Sequence, residues 1–190
     1  MDEEDYRLKG PAFLTLVKYI KERRGQKGVD HVFSILKKEM PELYIPSKEF
    51  KTKKMYPDML FIRLLEILDR EFGKGDLREC YNFGRYSSYN LGVMGIFVSF
   101  LGTPSTVLKK APKSWRYYRN RGELVVTKLE PGLGVLELRG YLKSKTICTE
   151  LLGFFNGAAE QTKAKNVKVR ETKCKSKGDP VCEFMITWEE

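Results

Sequence analysis

Four residues in the C-terminal part of the chain carry side chains that bind transition metals. Cys148, Glu171, Cys174 and Cys182 offer three thiols and one carboxylate. Zn²⁺ prefers sulfur-rich, four-coordinate structural sites in which no position stays open for water. Brought together, the four side chains would form a structural, noncatalytic site whose binding energy stabilises the folded chain.

Hydrophobic periodicity predicts that these side chains converge. Cys148 lies on the apolar stripe of a predicted helix over residues 146–161. Glu171 has the parity of two valines in the next predicted strand, and Cys182 has the parity of the apolar residues in the last strand. All three are therefore expected to face the core. Cys174 ends its strand just before a turn-rich loop, so a hairpin can bring its sulfur to Cys182.

The spacing alone leaves another interpretation open, in which the cysteines are small buried hydrophobes. The C-x7-C spacing is not that of a standard zinc finger, and a carboxylate is a less common fourth structural ligand than His. If the metal site forms, its surplus negative charge would be offset by Lys173, Lys175 and Lys177, which are close in sequence.

Helical periodicity dominates the first part of the chain, and a period of two begins after Gly122. The predicted helices span residues 11–24 with a stop at Gly25, 29–39, 57–72, 77–101 with an interruption around 84–89, and 103–118 with a kink at Pro112. The predicted elements that follow are strands 123–129 and 135–139, helix 146–161, and strands 166–173 and 182–188.

This order predicts an α+β fold in which N-terminal helices precede a ββαββ antiparallel sheet covered by helices. We expect an N-terminal helical region over residues 1–75 and an α/β module over residues 76–190, with one compact domain as the alternative.

Composition limits the classes of function. The net charge of +10 and the pI near 9.4 would suit nucleic acid, but both signs of charge are spread along the chain, so nucleic acid is disfavoured as a partner. The longest apolar run, 91–101, is too short for a membrane span, and the acidic start is not a secretory signal, which predicts a cytoplasmic protein. One His, His31, gives no recognisable nucleophilic triad, so hydrolysis is disfavoured.

Three arginines are interleaved with tyrosines near the end of the helix predicted over 103–118. Arg116, Arg119 and Arg121 are interpreted as a solvated helix end, with anion or RNA binding as the alternative. Cys80 fits no metal spacing and is predicted to be a buried thiol.

The segment CKSKGDPVCEFMITW, with Cys148 ahead of it on a helix, resembles the C-terminal signature of the vinyl-4-reductase domain family. That family includes sensor domains of aromatic-responsive activators, a bacteriochlorophyll vinyl reductase component and relatives among TRAPP subunits. In the aromatic sensors, Cys, Glu, Cys and Cys hold a zinc, and Cys148, Glu171, Cys174 and Cys182 match those positions at intervals of 23, 3 and 8 residues.

Three upstream segments are also similar to an uncharacterised bacterial family that has this same ending. These are YPDMLFIRLLEIL, FGRYSSY and WRYYRNRGELVV. Together the similarities touch most of the chain.

The resemblance implies a ligand chamber between the sheet and its covering helices, and hence a noncatalytic sensory domain that binds a small apolar or aromatic molecule. The candidate pocket residues are Phe97, Phe100, Trp115, Tyr118 and Phe155. The sensors hold a phenol hydroxyl with a His and a Trp, for which His31 and Trp115 are not clear equivalents. The resemblance also implies a homodimer and a structural zinc.

Two other functions stay open within the same resemblance. One is a dimeric protein-interaction scaffold similar to TRAPP subunits. The other is an accessory factor in tetrapyrrole vinyl reduction, for which the sequence offers no redox cofactor motif.

Overall fold

The computed structural model describes residues 6–90 and 102–189. Its helices are α1 (Gly10–Glu39), α2 (Asp58–Phe72), α3 (Arg78–Asn90), α4 (Pro104–Tyr118) and α5 (Lys145–Glu160). Its strands are β1 (Arg7–Lys9), β2 (Met55–Pro57), β3 (Glu123–Glu130), β4 (Leu133–Arg139), β5 (Lys165–Lys173) and β6 (Cys182–Glu189). Short 3₁₀ helices occupy Pro41–Leu43, Ser47–Glu49 and Lys175–Lys177.

The four C-terminal strands form one antiparallel sheet in the order β3-β4-β6-β5. Helix α5 connects its two hairpins, so the predicted α+β class and the ββαββ order are confirmed. A second, two-stranded ribbon pairs β1 with β2 and was not predicted, because three-residue strands are too short to show a period.

Helix α1 differs from its prediction as two helices. The chain continues from Gly10 to Glu39, and Gly25 interrupts it only locally with φ 68°. Gly tolerates this left-handed conformation without the cost that a Cβ brings, so Gly25 bends the helix and does not end it.

The interruption predicted around residues 84–89 is wrong, because α3 runs unbroken to Asn90. Gly84 serves close packing: a Cβ built on it would lie 1.9 Å from the backbone oxygen of Glu150 in α5. Gly153 repeats this contact from the other helix, since its Cβ would lie 2.0 Å from the backbone oxygen of Tyr81. Small residues thus let the backbones of α3 and α5 touch, and they fix where α5 lies. The second half of the predicted helix, residues 91–101, is outside the described residues.

Helix α4 begins where it was predicted to begin. The side chain of Thr103 caps it by accepting a hydrogen bond from the Thr106 backbone N–H at 3.3 Å. Pro112 lies inside the helix, which continues to Tyr118.

A single cluster of buried side chains joins the N-terminal helices to the sheet. Its largest fully buried members include Phe13 and Tyr19 of α1, Phe61 of α2, Phe83 of α3 and Phe184 of β6. Within the described residues, no helix is both long and apolar enough to cross a bilayer.

The contact between α3 and α5 predicts a strong effect of Gly84→Ala. The added methyl meets backbone atoms, which cannot rotate away, so we expect a loss of roughly 2–3 kcal/mol in the free energy of unfolding, measured by urea denaturation. Tyr89→Ala, at an exposed position of the same helix, is the control and should change the stability by less than about 1 kcal/mol. Equal effects of the two substitutions would contradict the close packing.

Candidate metal cluster and ligand cavity

The structure brings the four sequence-predicted metal ligands to one point. One ligand atom from each of Cys148, Glu171, Cys174 and Cys182 lies within 4.8 Å of all the others. Two atoms bound to one zinc at about 2.3 Å can be no more than about 4.6 Å apart, so the cluster needs to contract by only a few tenths of an ångström to enclose an ion. The donor set can hold a metal.

Each ligand is positioned by a different piece of backbone. Cys148 lies at the start of α5, where the side chain of Ser144 caps the helix. Cys182 is the first residue of β6, opposite Leu138 of β4. Glu171 lies in β5, and Cys174 directly follows that strand. The cluster therefore joins α5 to both strands of the last hairpin.

A β-bulge brings Glu171 and Cys174 to the same side. Residues three apart on a regular strand point to opposite faces. The pairing of β5 with β6 shifts between Glu171 and Lys173, so Thr172 is an extra residue that resets the alternation. No sequence period indicates this bulge, and the sequence analysis found Cys174 through its spacing to Cys182.

Burial and hydrogen bonding favour a bound cation at this point. The three cysteines are buried, and the side chain of Glu171 is 15% exposed. Glu171 Oε1 is buried and has no hydrogen-bond partner among the described residues, whereas Oε2 lies 3.2 Å from Lys177 Nζ. An orphaned carboxylate oxygen among three thiols is costly unless a donor or a metal approaches it.

The thiols interact with one another. Cys148 Sγ lies 2.9 Å from Cys182 Sγ, and this hydrogen bond lowers the pKa of Cys182 to about 6 while it raises the pKa of Cys148. Burial, together with the neighbouring Glu171, raises the pKa of Cys174. Cys182 is thus the thiol that most readily becomes a thiolate, which is the form that binds metals.

The loop between β5 and β6 is held by its own hydrogen bonds. Asp179 Oδ2 accepts a hydrogen bond from the Cys174 backbone N–H at 2.7 Å. The Cys174 carbonyl accepts from the N–H groups of Lys177 and Asp179, and Gly178 takes φ 105°. This geometry returns the chain to Cys182 with the two sulfurs on the same side.

The three neighbouring lysines act differently from one another. Lys177 pairs with the candidate ligand Glu171, as expected, whereas Lys173 pairs with Glu183 at 2.8 Å. Lys175 donates its backbone N–H to Cys182 Sγ at 3.5 Å and its Nζ to the Tyr141 carbonyl at 2.7 Å. Lys175 therefore links the cluster to the segment before α5.

A cavity of about 830 Å³ lies between α1, α4, α5 and the inner face of the sheet. Its walls are mostly apolar and include Leu14, Leu108, Leu136, Phe154 and Ile186. Ligand pockets in proteins typically have volumes of about 300–1,000 Å³ and similar linings. The cavity is therefore of a size and character to hold a small organic molecule.

The described pocket candidates lie at this cavity or beside it. Tyr118 and Phe155 line it, and both also line a smaller neighbouring cavity together with Trp115. Phe97 and Phe100 are outside the described residues.

Sequence reasoning missed a buried polar network beside the cavities. Asp58 is completely buried, and its Oδ2 accepts a hydrogen bond from the Tyr141 hydroxyl at 2.5 Å. Arg119 Nε donates to the same hydroxyl at 2.9 Å and lies 3.9 Å from Asp58 Oδ1. Burial raises the pKa of Asp58, although Arg119 and Tyr141 oppose this effect.

The interpretation of all three arginines as solvated is therefore wrong for Arg119. Its side chain is only 8% exposed, and its guanidinium stacks 4.5 Å from the Trp115 ring, whereas Arg116 and Arg121 are exposed. The available signal was indirect, since Asp58 opens a helix immediately after Pro57 and has no local partner in sequence.

Two other candidates lie away from the cluster. His31 is half exposed on α1 and hydrogen bonds with Glu71 at 2.9 Å. Cys80 is a buried thiol, as predicted, and its sulfur lies 3.7 Å from the Leu65 carbonyl oxygen.

Comparison with protein families identifies the class of the C-terminal part. Residues 136–187 match the family model of the vinyl-4-reductase domain, which confirms the predicted resemblance over β4, α5, β5 and β6. The matched region contains all four candidate metal ligands. No curated protein sequence matches the chain.

Comparison with solved structures extends the likeness to almost the whole chain. An H-NOX protein from S. oneidensis in the Fe(II)NO ligation state has a TM-score of 0.73 and 14% identity, and the match covers 96% of this chain and 100% of that one. An unliganded Fe(II) H-NOX protein from K. algicida has a TM-score of 0.68 at 14% identity, covering 96% and 97%. An oxygen-binding H-NOX domain related to soluble guanylate cyclases has a TM-score of 0.73 at 14% identity, covering 96% of each chain.

At such low identity the likeness shows the fold alone. The chain is an α+β domain with the H-NOX arrangement of helices and sheet, and its C-terminal part carries the vinyl-4-reductase signature. The H-NOX likeness was not foreseen from the sequence, because at 14% identity it is carried by the arrangement of the elements and not by a shared motif.

The buried network predicts that Tyr141→Phe destabilises the fold. Loss of the hydroxyl removes the hydrogen bonds that reach Asp58 and Arg119 in the interior, so we expect a loss of about 3 kcal/mol in the free energy of unfolding, measured by chemical denaturation. Tyr117→Phe removes the same atom from an exposed ring and should change stability by less than about 0.5 kcal/mol. A Tyr141 variant as stable as the control would mean that the network contributes nothing.

Proposed function

We propose that the protein is a noncatalytic sensory domain that binds a small apolar or aromatic molecule, and that a structural zinc holds its C-terminal module together. The cavity of about 830 Å³ is the observation that carries the proposal. Domains that resemble one another in fold can differ in function, so the proposal depends on this cavity and its lining.

The character of the cavity wall defines the ligand class. Aliphatic and aromatic side chains from helices and strands line most of it, and the charged residues among its described lining are Lys110 and Lys113 of α4. Burying an apolar molecule against such a wall contributes about 25 cal/mol for each Å² removed from water. An apolar or aromatic body is therefore the part of a ligand that this wall favours.

Heme is the ligand of the H-NOX family to which the fold is similar. Heme iron is commonly held by His, Cys or Met, and less often by Tyr. Among the described residues that line the large cavity there is no His, Cys or Met, although Tyr117 and Tyr118 are present. His31 is on the surface, and three cysteines belong to the metal cluster. The described residues do not fit a heme held through His, Cys or Met, and we derive no step through one.

Zinc suits the cluster because of its donor set. Three sulfurs and one carboxylate match the softness and the four-coordinate preference of Zn²⁺ and leave no position for a substrate. When bound, the ion would cross-link α5 to the β5–β6 hairpin and so stabilise the folded state. Lys177, paired with Glu171, would reduce the surplus negative charge.

The scaffold and accessory functions lack a comparable observation. A docking surface is usually marked by an exposed apolar patch, but in the described ranges the exposed large hydrophobic side chains are Tyr89 and Tyr117. The tetrapyrrole role gains no redox site among the described residues. The homodimer, the cytoplasmic location and the division near residue 75 stay predictions.

The zinc proposal predicts one zinc per chain by elemental analysis of the purified protein. Cys174→Ser should lose the metal and several °C of melting temperature, because a structural zinc contributes folding free energy. Cys80→Ala changes a buried thiol outside the cluster and should keep the zinc. A metal-free wild-type protein, or a Cys174 variant with its full zinc content, would contradict the site.

The ligand proposal predicts that native mass spectrometry of the protein from its host detects a bound organic molecule. Ala158 lines the cavity and is buried, so Ala158→Phe should occupy part of the volume and reduce the bound fraction at least about tenfold. Ala164→Phe, partly buried but outside the described lining, is the matched control. Retention of the molecule by the Ala158 variant would place the ligand elsewhere.

A further inference from the structure

A second, smaller cavity adjoins the large one. It has a volume of about 90 Å³, and it shares Ala111, Ser114, Tyr118, Phe154 and Phe155 with the large cavity. A cavity of about 150 Å³ is known to hold benzene, whereas one water molecule takes about 30 Å³. The small cavity can therefore hold a polar group or a few waters, but not a whole aromatic molecule.

Two ionisable side chains with unused hydrogen-bonding capacity line this small cavity. Arg119 reaches it from the end of α4, and Glu150 reaches it from α5. The remaining polar side chains of the wall include Ser87, which donates to the Gly84 carbonyl, and Trp115, whose Nε1 donates to the carbonyls of residues 121 and 122. These two are already satisfied.

Glu150 lacks a donor. Its residue is 6% exposed, and its Oε2 is buried with no hydrogen-bond partner among the described residues. Such a group costs about 1–3 kcal/mol if it stays unpaired. A buried acceptor beside a cavity indicates that a donor enters the cavity.

Arg119 lacks acceptors at its far end. Its Nε donates to Tyr141, but the two terminal nitrogens make no hydrogen bond to any residue in the described ranges. Arg119 and Glu150 form no ion pair within 4.0 Å there, although both side chains border the same space. The gap separates a set of donors from an acceptor.

We propose that this gap is the polar end of the ligand site, and that it recognises a neutral group which accepts a hydrogen bond from Arg119 and donates one to Glu150. A hydroxyl or a primary carboxamide can do both at once. The apolar body of the ligand then lies in the large cavity. This inference rests on the proposed ligand-binding function and narrows its ligand class.

Charged groups satisfy only one side of the gap. A carboxylate accepts from Arg119 but has no proton to donate to Glu150, and it would bring a third carboxyl group to a place that already contains Glu150 and Asp58. An ammonium donates to Glu150 but leaves Arg119 without an acceptor. Either ion would also lose its hydration on burial, which is costly without a complete set of partners.

The test compares probes that share one body and differ in their terminal group. Phenylethanol and phenylacetamide carry the neutral groups, ethylbenzene carries none, and phenylacetate and phenethylamine carry charges. With the full-length wild-type protein, calorimetric titration should give phenylethanol and phenylacetamide an affinity at least about tenfold higher than that of ethylbenzene, and higher than that of either ion.

Glu150→Leu removes the acceptor and keeps an apolar side chain of similar length. It should abolish the tenfold preference while ethylbenzene binds as before, and Glu130→Leu, at an exposed position, should keep the preference. If the Glu150 variant does not fold, the wild-type probe series decides by itself.

The remaining outcomes overturn the inference in distinguishable ways. Equal affinity for phenylethanol and ethylbenzene would mean that the small cavity holds water only, while the proposed function stands. Tightest binding of phenylacetate or phenethylamine would show that the site selects an ion. Failure of all five probes to bind would remove both the inference and the proposed function.

Discussion

Asp58 is a carboxylate without exposure to water, and its burial constrains much of this fold. A buried charge requires partners, and here they come from distant parts of the chain: Tyr141 from the segment before α5, and Arg119 from the end of α4. Trp115 stacks on that arginine and thereby fixes the last turn of α4. The N-terminus of α2, the end of α4 and the approach to α5 must therefore meet at one place, and this convergence forms the edge of both cavities.

The second constraint is steric and acts on α5 from its other side. Gly84 and Gly153 allow the backbones of α3 and α5 to touch, which leaves no freedom in the height or rotation of α5. That helix presents Cys148 near its start and Phe155 further along, so one rigid element serves the metal cluster and the ligand cavity. The interior of the protein is organised around α5, with the sheet on one side and α3 on the other.

The sequence foretold those parts of the structure that repeat with a period. The sheet strands, α2 and α5 follow from apolar spacing, and the inward parity of Cys148 and Cys182 follows with them. Features without a period were missed: the bulge after Glu171, the ribbon of β1 and β2, and the role of Gly84 as a contact point. Arg119 was missed because its partners Asp58 and Tyr141 are 61 positions before it and 22 after it in the numbering, and no local pattern connects them.

Lys175 belongs to both halves of this arrangement. Its backbone contacts a sulfur of the metal cluster, and its ammonium holds the carbonyl of Tyr141, whose hydroxyl belongs to the network at the cavity edge. A change at either place alters the free energy of the same residue. Thermodynamic linkage then requires reciprocity: whatever factor metal occupancy applies to the affinity for the small molecule, the small molecule applies to the affinity for the metal. The C-terminal hairpin is thus a component of the equilibrium that sets occupancy, as well as a fastening.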